Sequence, residues 1–486
     1  MSETRKPLTV ALLRAGLPSY FPDRHGVWTS AEAALGALCA AEGARLVVLP
    51  DTPMDARQTA AALDRARSEG ADFILCLHGG FTMGDVARTI AASPFRAGFW
   101  AVPEPVQEGD IQLNGFVSLN MSLSIARSVR DLRARPVQWY HGAPDSPALW
   151  QRLRTTLRAL AAARALEGAR IGVVGGLAMT FYNMEVSTGA LRRRLGVEVA
   201  HHDIHELTGR MAVQPADRVA AELAAMAGAA RVEGVSAPQM DLTARAALAL
   251  RDMARAGGYD ALAVSDWPAL QADPGMHPGA AFSWLETADN LPVASEGDVL
   301  GAVTQLVARA LNRTGGGPGR TGALLDMTEP DHAAGQLLMW HGGGGPLHLA
   351  DGDGVRWINH PMIGRGTPEG ACFGAIADFV FAPGPASVFR IARDGAALFA
   401  MTAQIVARTP TGFAGCRGWL EGFRIGPDPA RLADVVATVM AHGIEHHFVL
   451  IPGDHGPALA EFGAWTGMTP LGLRPDRGHL DATDFS

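Results

Sequence analysis

The chain has few cysteines and no close pair among them. Cys39, Cys76, Cys372 and Cys416 are the only four in 486 residues, and they stand far apart. That spacing argues against a zinc knuckle or a redox dithiol and points to reduced, mostly buried thiols. Long apolar runs are also missing, because Arg, Asp or Gly interrupts every Ala/Leu-rich segment before the roughly 18–20 residues that a spanning helix needs. No basic stripe or lysine run exists, and the formal charge of −8 is spread along the sequence, which makes nucleic acid a poor partner. The polar start at residues 1–7 is followed by an apolar stretch of only strand length, so no export signal is read and a cytoplasmic location is expected.

What is present is apolar residues at 48% against charged residues at 19%, a globular composition at a length that calls for two to four domains. Short β-rich runs at 8–13, 45–49, 72–77 and 97–102 alternate with helix-patterned segments at 30–42, 55–69 and 83–92. This is the rhythm of a doubly wound parallel sheet. A helical segment at 146–167 leads into a second α/β unit with runs at 169–174, 197–203 and 261–265 and one long helical region at about 215–256. After a helix-patterned stretch at 299–311, the glycine and proline cluster from Asn312 to Gly319 is the clearest linker. Beyond it, extended runs at 321–327, 386–393 and 396–406 are cut by turn residues, with helical periodicity returning only at 431–442. The expected architecture is two doubly wound, Rossmann-like α/β domains (1–165 and 166–318) followed by a β-rich, barrel-like domain (319–486).

In open α/β sheets, chemistry collects where strands end. Glu296 sits at such a junction, in Ala294-Ser295-Glu296-Gly297-Asp298, where its simplest use is to cap the following helix. Asp326 closes an apolar run and has a simple use as a turn former. His446 and His447 precede another apolar run, and strand alternation allows only one of them to aim at a given site. His341 stands before four glycines, but the Gly-Lys-Ser/Thr of a nucleotide loop is absent. Two carboxylates and an imidazole are suitable donors for Mn²⁺ or a similar divalent ion, with positions left for substrate oxygens.

These pieces fall in a familiar order. The chain resembles the L-fucose isomerase and L-arabinose isomerase superfamily, nearer its fucose isomerase-like branch, over nearly its whole length. The resemblance rests on Phe99-Trp100-Ala101-Val102-Pro103-Glu104, on Asp266-Trp267-Pro268 through Gln271, on Ala294 to Val299, on Trp340-His341-Gly342, and on His446-His447 followed by Gly453-Asp454. It implies an aldose–ketose isomerase working through an enediolate. Glu296 would be a metal ligand and acid/base group, Asp326 a metal ligand and partner base, and His447 the metal-binding histidine. Trp267, Gln271 and His341 would be substrate contacts. It further implies Mn²⁺, or Mg²⁺ or Co²⁺, a small sugar as substrate, and a trimer or hexamer. The chain departs from the family pattern at Ser295, where cysteine is usual, and at Met276-His277-Pro278-Gly279. A non-catalytic sugar-binding protein on the same scaffold, or epimerisation or carbon–carbon cleavage through the same intermediate, are the alternatives.

Overall fold

The computed structural model describes residues 7–20, 23–132, 135–313, 319–352, 354–362, 374–408 and 410–480. Cys372 and residues 314–318 of the linker lie outside them, whereas Cys39, Cys76 and Cys416 are buried and free.

The first five strands are β1 (Thr9–Ala15), β2 (Arg45–Val48), β3 (Phe73–His78), β4 (Arg96–Ala101) and β5 (Val137–His141). They form one parallel sheet in the order β2-β1-β3-β4-β5. Alternate residues of β1 and β3 enter two separate cores. Val10, Leu12, Phe73 and Leu75 pack with Trp28, Leu35 and Leu38 on one face. Ala11, Leu13, Ile74 and Cys76 pack with Leu63, Val86 and Ile90 on the other. A strand buried on both faces reads as a continuous apolar run because it has helices on both sides.

The next strands are β6 (Arg170–Val174), β7 (Glu198–His202), β8 (Arg231–Glu233), β9 (Ala261–Val264) and β10 (Val293–Ala294). Four of them make a second parallel sheet, β10-β9-β6-β7. β8 does not join it. The helical pattern at 215–256 is two helices, Ala216–Ala229 and Ala237–Gly257, separated by β8. That short strand pairs in parallel with a strand more than a hundred residues later, a tertiary partner that overrides the local helical periodicity.

The remaining strands are β11 (Ala323–Asp331), β12 (Gln336–His341), β13 (Arg356–Asn359), β14 (Ala375–Val380), β15 (Gly384–Ala392), β16 (Ala397–Ile405), β17 (Cys416–Ile425), β18 (Asp428–Pro429), β19 (His447–Pro452) and β20 (Thr469–Pro470). With β8 they build one large mixed sheet. Within it β16, β15, β19, β11, β12 and β17 are joined by antiparallel pairings, and β17 pairs back to β16. The helix Val299–Leu311 lies between this sheet and the second one. Its Val299, Leu300, Val303 and Leu306 share a core with Ile171 and Val173 of β6 and with Leu324, Val449 and Ile451 of β11 and β19. The N-terminus of that helix is therefore placed at the seam between two sheets.

Candidate metal and active site

The seam fixes which side chains meet. On β11, Asp326 lies two residues beyond Leu324 and so on the same face. On β19, His447 precedes Val449 and Ile451 in the same way. Asp326 and His447 are direct partners in the antiparallel register. Asp326 thus lies within a strand and does not close it, just before the bulge between Met327 and Glu329, where a local kink re-aims side chains.

The helix cap is Asp298, not Glu296. Asp298 Oδ1 accepts from the Gly301 N–H at 2.8 Å, and Glu296 has a left-handed backbone, φ 61° and ψ 13°. The Glu296 N–H donates to Asp266 Oδ1 at 2.7 Å and its carbonyl accepts from the Ala178 N–H at 2.9 Å. Gly297, φ 72°, has no room for a side chain, since a Cβ there would lie 2.0 Å from the Gly176 carbonyl oxygen. Released from capping, the Glu296 carboxylate turns toward the histidines.

His447 Nδ1 donates to Asp298 Oδ2 at 3.0 Å. Arg390, wholly buried, holds the same carboxylate, with Nη2 3.1 Å from Oδ1. His447 Nε2 then lies 3.3 Å from Glu296 Oε2 and 3.9 Å from Asp326 Oδ1, aligned for a hydrogen bond with neither. His446 comes just before β19, so alternation does not separate the pair. Its Nε2 also reaches Glu296 Oε2, at 3.3 Å, and its ring lies 4.3 Å from that of His447. Both histidines therefore face one carboxylate oxygen, contrary to the expectation from strand geometry.

The expected substrate contacts differ in what they touch. Trp267 Nε1 donates to Glu296 Oε1 at 3.3 Å. His341 Nδ1 accepts from the Gly343 N–H at 2.6 Å, so the neutral ring carries its proton on Nε2, 3.5 Å from Ser295 Oγ. The Gln271 amide nitrogen donates to the carbonyls of Asp266 and Met276, which ties the loop after β9. Asp298, Asp266 and Arg390 adjoin the cluster although the sequence alone assigns them no role in it, and His446, set aside there in favour of His447, joins it. Asp298 carries a local signal, as a helix N-cap two residues after Glu296.

Charge is unevenly distributed. Burial works against ionising Glu296 and Asp298, but the histidines facing Glu296, and Arg390 and His447 beside Asp298, hold both well below the usual carboxylate range. Burial likewise opposes a charge on His447, yet Asp298 and Glu296 push it up to about 10. His341 is held below the ordinary imidazole value, mainly by burial.

Glu296, His446 and His447 each offer a ligand atom within 4.8 Å of the others, as do Asp326, His341 and His447. His447 Nε2 and Asp326 Oδ1 are buried without hydrogen-bond partners. Other buried side-chain atoms also lack a partner, but these two lie together beside a third ligand group, where a bound ion or water would satisfy both. A histidine whose other nitrogen donates to a carboxylate is the usual second-shell arrangement of a metal-binding imidazole. Either group fits a divalent ion and His447 belongs to both, but the expected trio Glu296, Asp326 and His447 is not itself one of the groups.

Fold and cluster together define an α/β protein with a carboxylate–imidazole cluster at a sheet seam. Relatives from Priestia aryabhattai and Priestia megaterium are each named sulfoquinovose isomerase. Each is 25% identical to this chain over 371 residues, covering 75% of this chain and 77% of the relative. A sulfoquinovose isomerase from a Clostridium species is 27% identical over 363 residues, covering 73% and 75%. No protein-family model matches the chain. Over about three quarters of its length the chain is thus similar to sugar isomerases. No helix among the described residues is long and apolar enough to cross a membrane.

Proposed function

We propose that the chain is a metal-dependent aldose–ketose isomerase, an intramolecular oxidoreductase acting on sulfoquinovose or a sugar close to it. The observation that carries this reading is the pair of partnerless, buried ligand atoms, His447 Nε2 and Asp326 Oδ1, beside the Glu296 carboxylate. Glu296, Asp326 and His447 would hold Mn²⁺ or another divalent ion, which would supply positive charge for the oxygens of an enediolate.

The chain's own residues do the rest. Glu296 removes the proton from C2 of the aldose and returns it to C1, the net change that makes a ketose. Trp267 N–H on Oε1 and the His446 imidazole at Oε2 keep that carboxylate oriented between transfers. Asp326 relays the hydroxyl proton between O2 and O1. His341 offers its Nε2–H to a sugar oxygen. The same reading carries assembly into a trimer or hexamer, and Ile111, Phe116 and Trp139, each more than half exposed, are apolar surface available for it.

Incubating the protein with sulfoquinovose and Mn²⁺ in deuterated water tests the reading by NMR. A ketose carrying deuterium at C1 is expected, with conversion lost when a chelator removes the ion. Sugar binding that is indifferent to chelator, without conversion, would favour the non-catalytic alternative.

A further inference from the structure

Glu296 adopts a left-handed backbone that side chains other than glycine rarely occupy, and what pins it there has a definite chemistry. Asp266 is 2% exposed and divides its two oxygens. Oδ1 accepts the Glu296 N–H at 2.7 Å. Oδ2 lies 3.1 Å from His277 Nε2. His277 is itself 2% exposed, and its Nδ1 accepts from the Gly279 N–H at 3.2 Å, which leaves Nε2 as the donor to Asp266. The ring is braced by His360, whose centroid lies 4.5 Å away at 64°. Gly374 approaches the backbone of His277 so closely that a Cβ there would lie 2.3 Å from its carbonyl oxygen.

We propose that Asp266 and His277 are positioning residues for Glu296: the imidazole N–H fixes the Asp266 carboxylate, and that carboxylate fixes the backbone turn that aims Glu296 at the ion. This rests on the reading of Glu296 as ligand and acid/base group. The pair also gives a use to the Met276–Gly279 stretch, one of the two places where the chain departs from the family it resembles. Neither residue reaches the cluster directly. Their effect passes through one peptide N–H, and a carboxylate displaced by a fraction of an ångström loses both ion affinity and proton transfer.

Two variants of the whole chain separate positioning from packing. His277→Leu removes the N–H donor, whereas His277→Gln keeps an amide N–H for Asp266. In the Mn²⁺-loaded protein, His277→Leu is expected to lower kcat by about 10–100-fold and to raise the Mn²⁺ dissociation constant by a similar factor. KM should stay within about twofold of wild type, and His277→Gln should recover most of both losses. Unchanged kcat and ion affinity in His277→Leu, equal losses in the two variants, or a loss confined to KM would each overturn the proposal. Should the wild-type protein isomerise no sugar, the proposed function fails. The Mn²⁺ affinities of the two variants, measured by competition with a fluorescent chelator, would still decide whether His277 positions Glu296.

Discussion

Two fully buried histidines end in opposite states. His78 closes β3, at the edge where the strand order of the first sheet turns back between β1 and β3, the place where doubly wound sheets often hold ligands. Its ring stacks on Phe99, and its two nitrogens meet only hydroxyls, Thr82 Oγ1 at 3.0 Å and Ser122 Oγ at 3.1 Å. Burial pushes it down to about 3. His447, equally buried, faces Asp298 and Glu296 and is pushed up to about 10. Burial is common to both, so it does not make a site. The partners do: neutral hydroxyls leave a satisfied core histidine, whereas the Asp298 carboxylate takes one nitrogen of His447 and leaves the other without a hydrogen-bond partner.

The largest effects belong to the seam. Glu296→Gln keeps the shape and removes the base, and should lower isomerisation by about 10²–10⁴-fold with the fold intact by circular dichroism. Full activity would remove this residue from the site. Asp298→Ala takes the carboxylate away from buried Arg390 and should cost about 3–5 kcal/mol in urea unfolding, the penalty of a buried charge left unpaired. Its counterpart in the first sheet, Ser122→Ala, takes only one hydroxyl from His78 and should cost about 1–3 kcal/mol. Equal costs would erase the distinction drawn between the two regions.

The pH dependence is the sharpest in sign. His78 is neutral in the fold, so its share of stability is complete above the ordinary imidazole value of 6.5 and is lost as pH falls toward 3. His447, in protein freed of metal by chelator, behaves in reverse. Its share is complete below 6.5 and is lost as pH rises through about 10. Unfolding free energies of wild type against His78→Phe and against His447→Gln, measured across pH, should therefore slope in opposite directions.

Much of the first two sheets was legible because each strand there is short, apolar and bounded by turn residues, so that β1, β3, β4, β6 and β9 begin or end within one or two residues of the pattern. Legibility failed where a long-range partner decides the outcome. β8 reads as helix until β13 pairs with it. Glu296 reads as a helix cap until Asp298 takes that place and Asp266 pins the turn. His446 reads as pointing away from His447, but the strand begins only at His447 and alternation does not reach back to His446. Asp326, His447 and Glu296 are singled out in the sequence only by their order along the chain. The register that brings Asp326 opposite His447 is a pairing of residues more than a hundred positions apart, and no local pattern encodes it.

The crossing of β8 into the sheet of β13 has an architectural consequence. Residues 231–233 fall on the near side of the glycine-rich linker, yet they supply an edge strand to the sheet on its far side. The linker is therefore a seam in the sequence but not a place where the molecule comes apart. Exchanging the C-terminal unit with that of a relative would leave β13 without its native neighbour, unless the three-residue strand travelled with it.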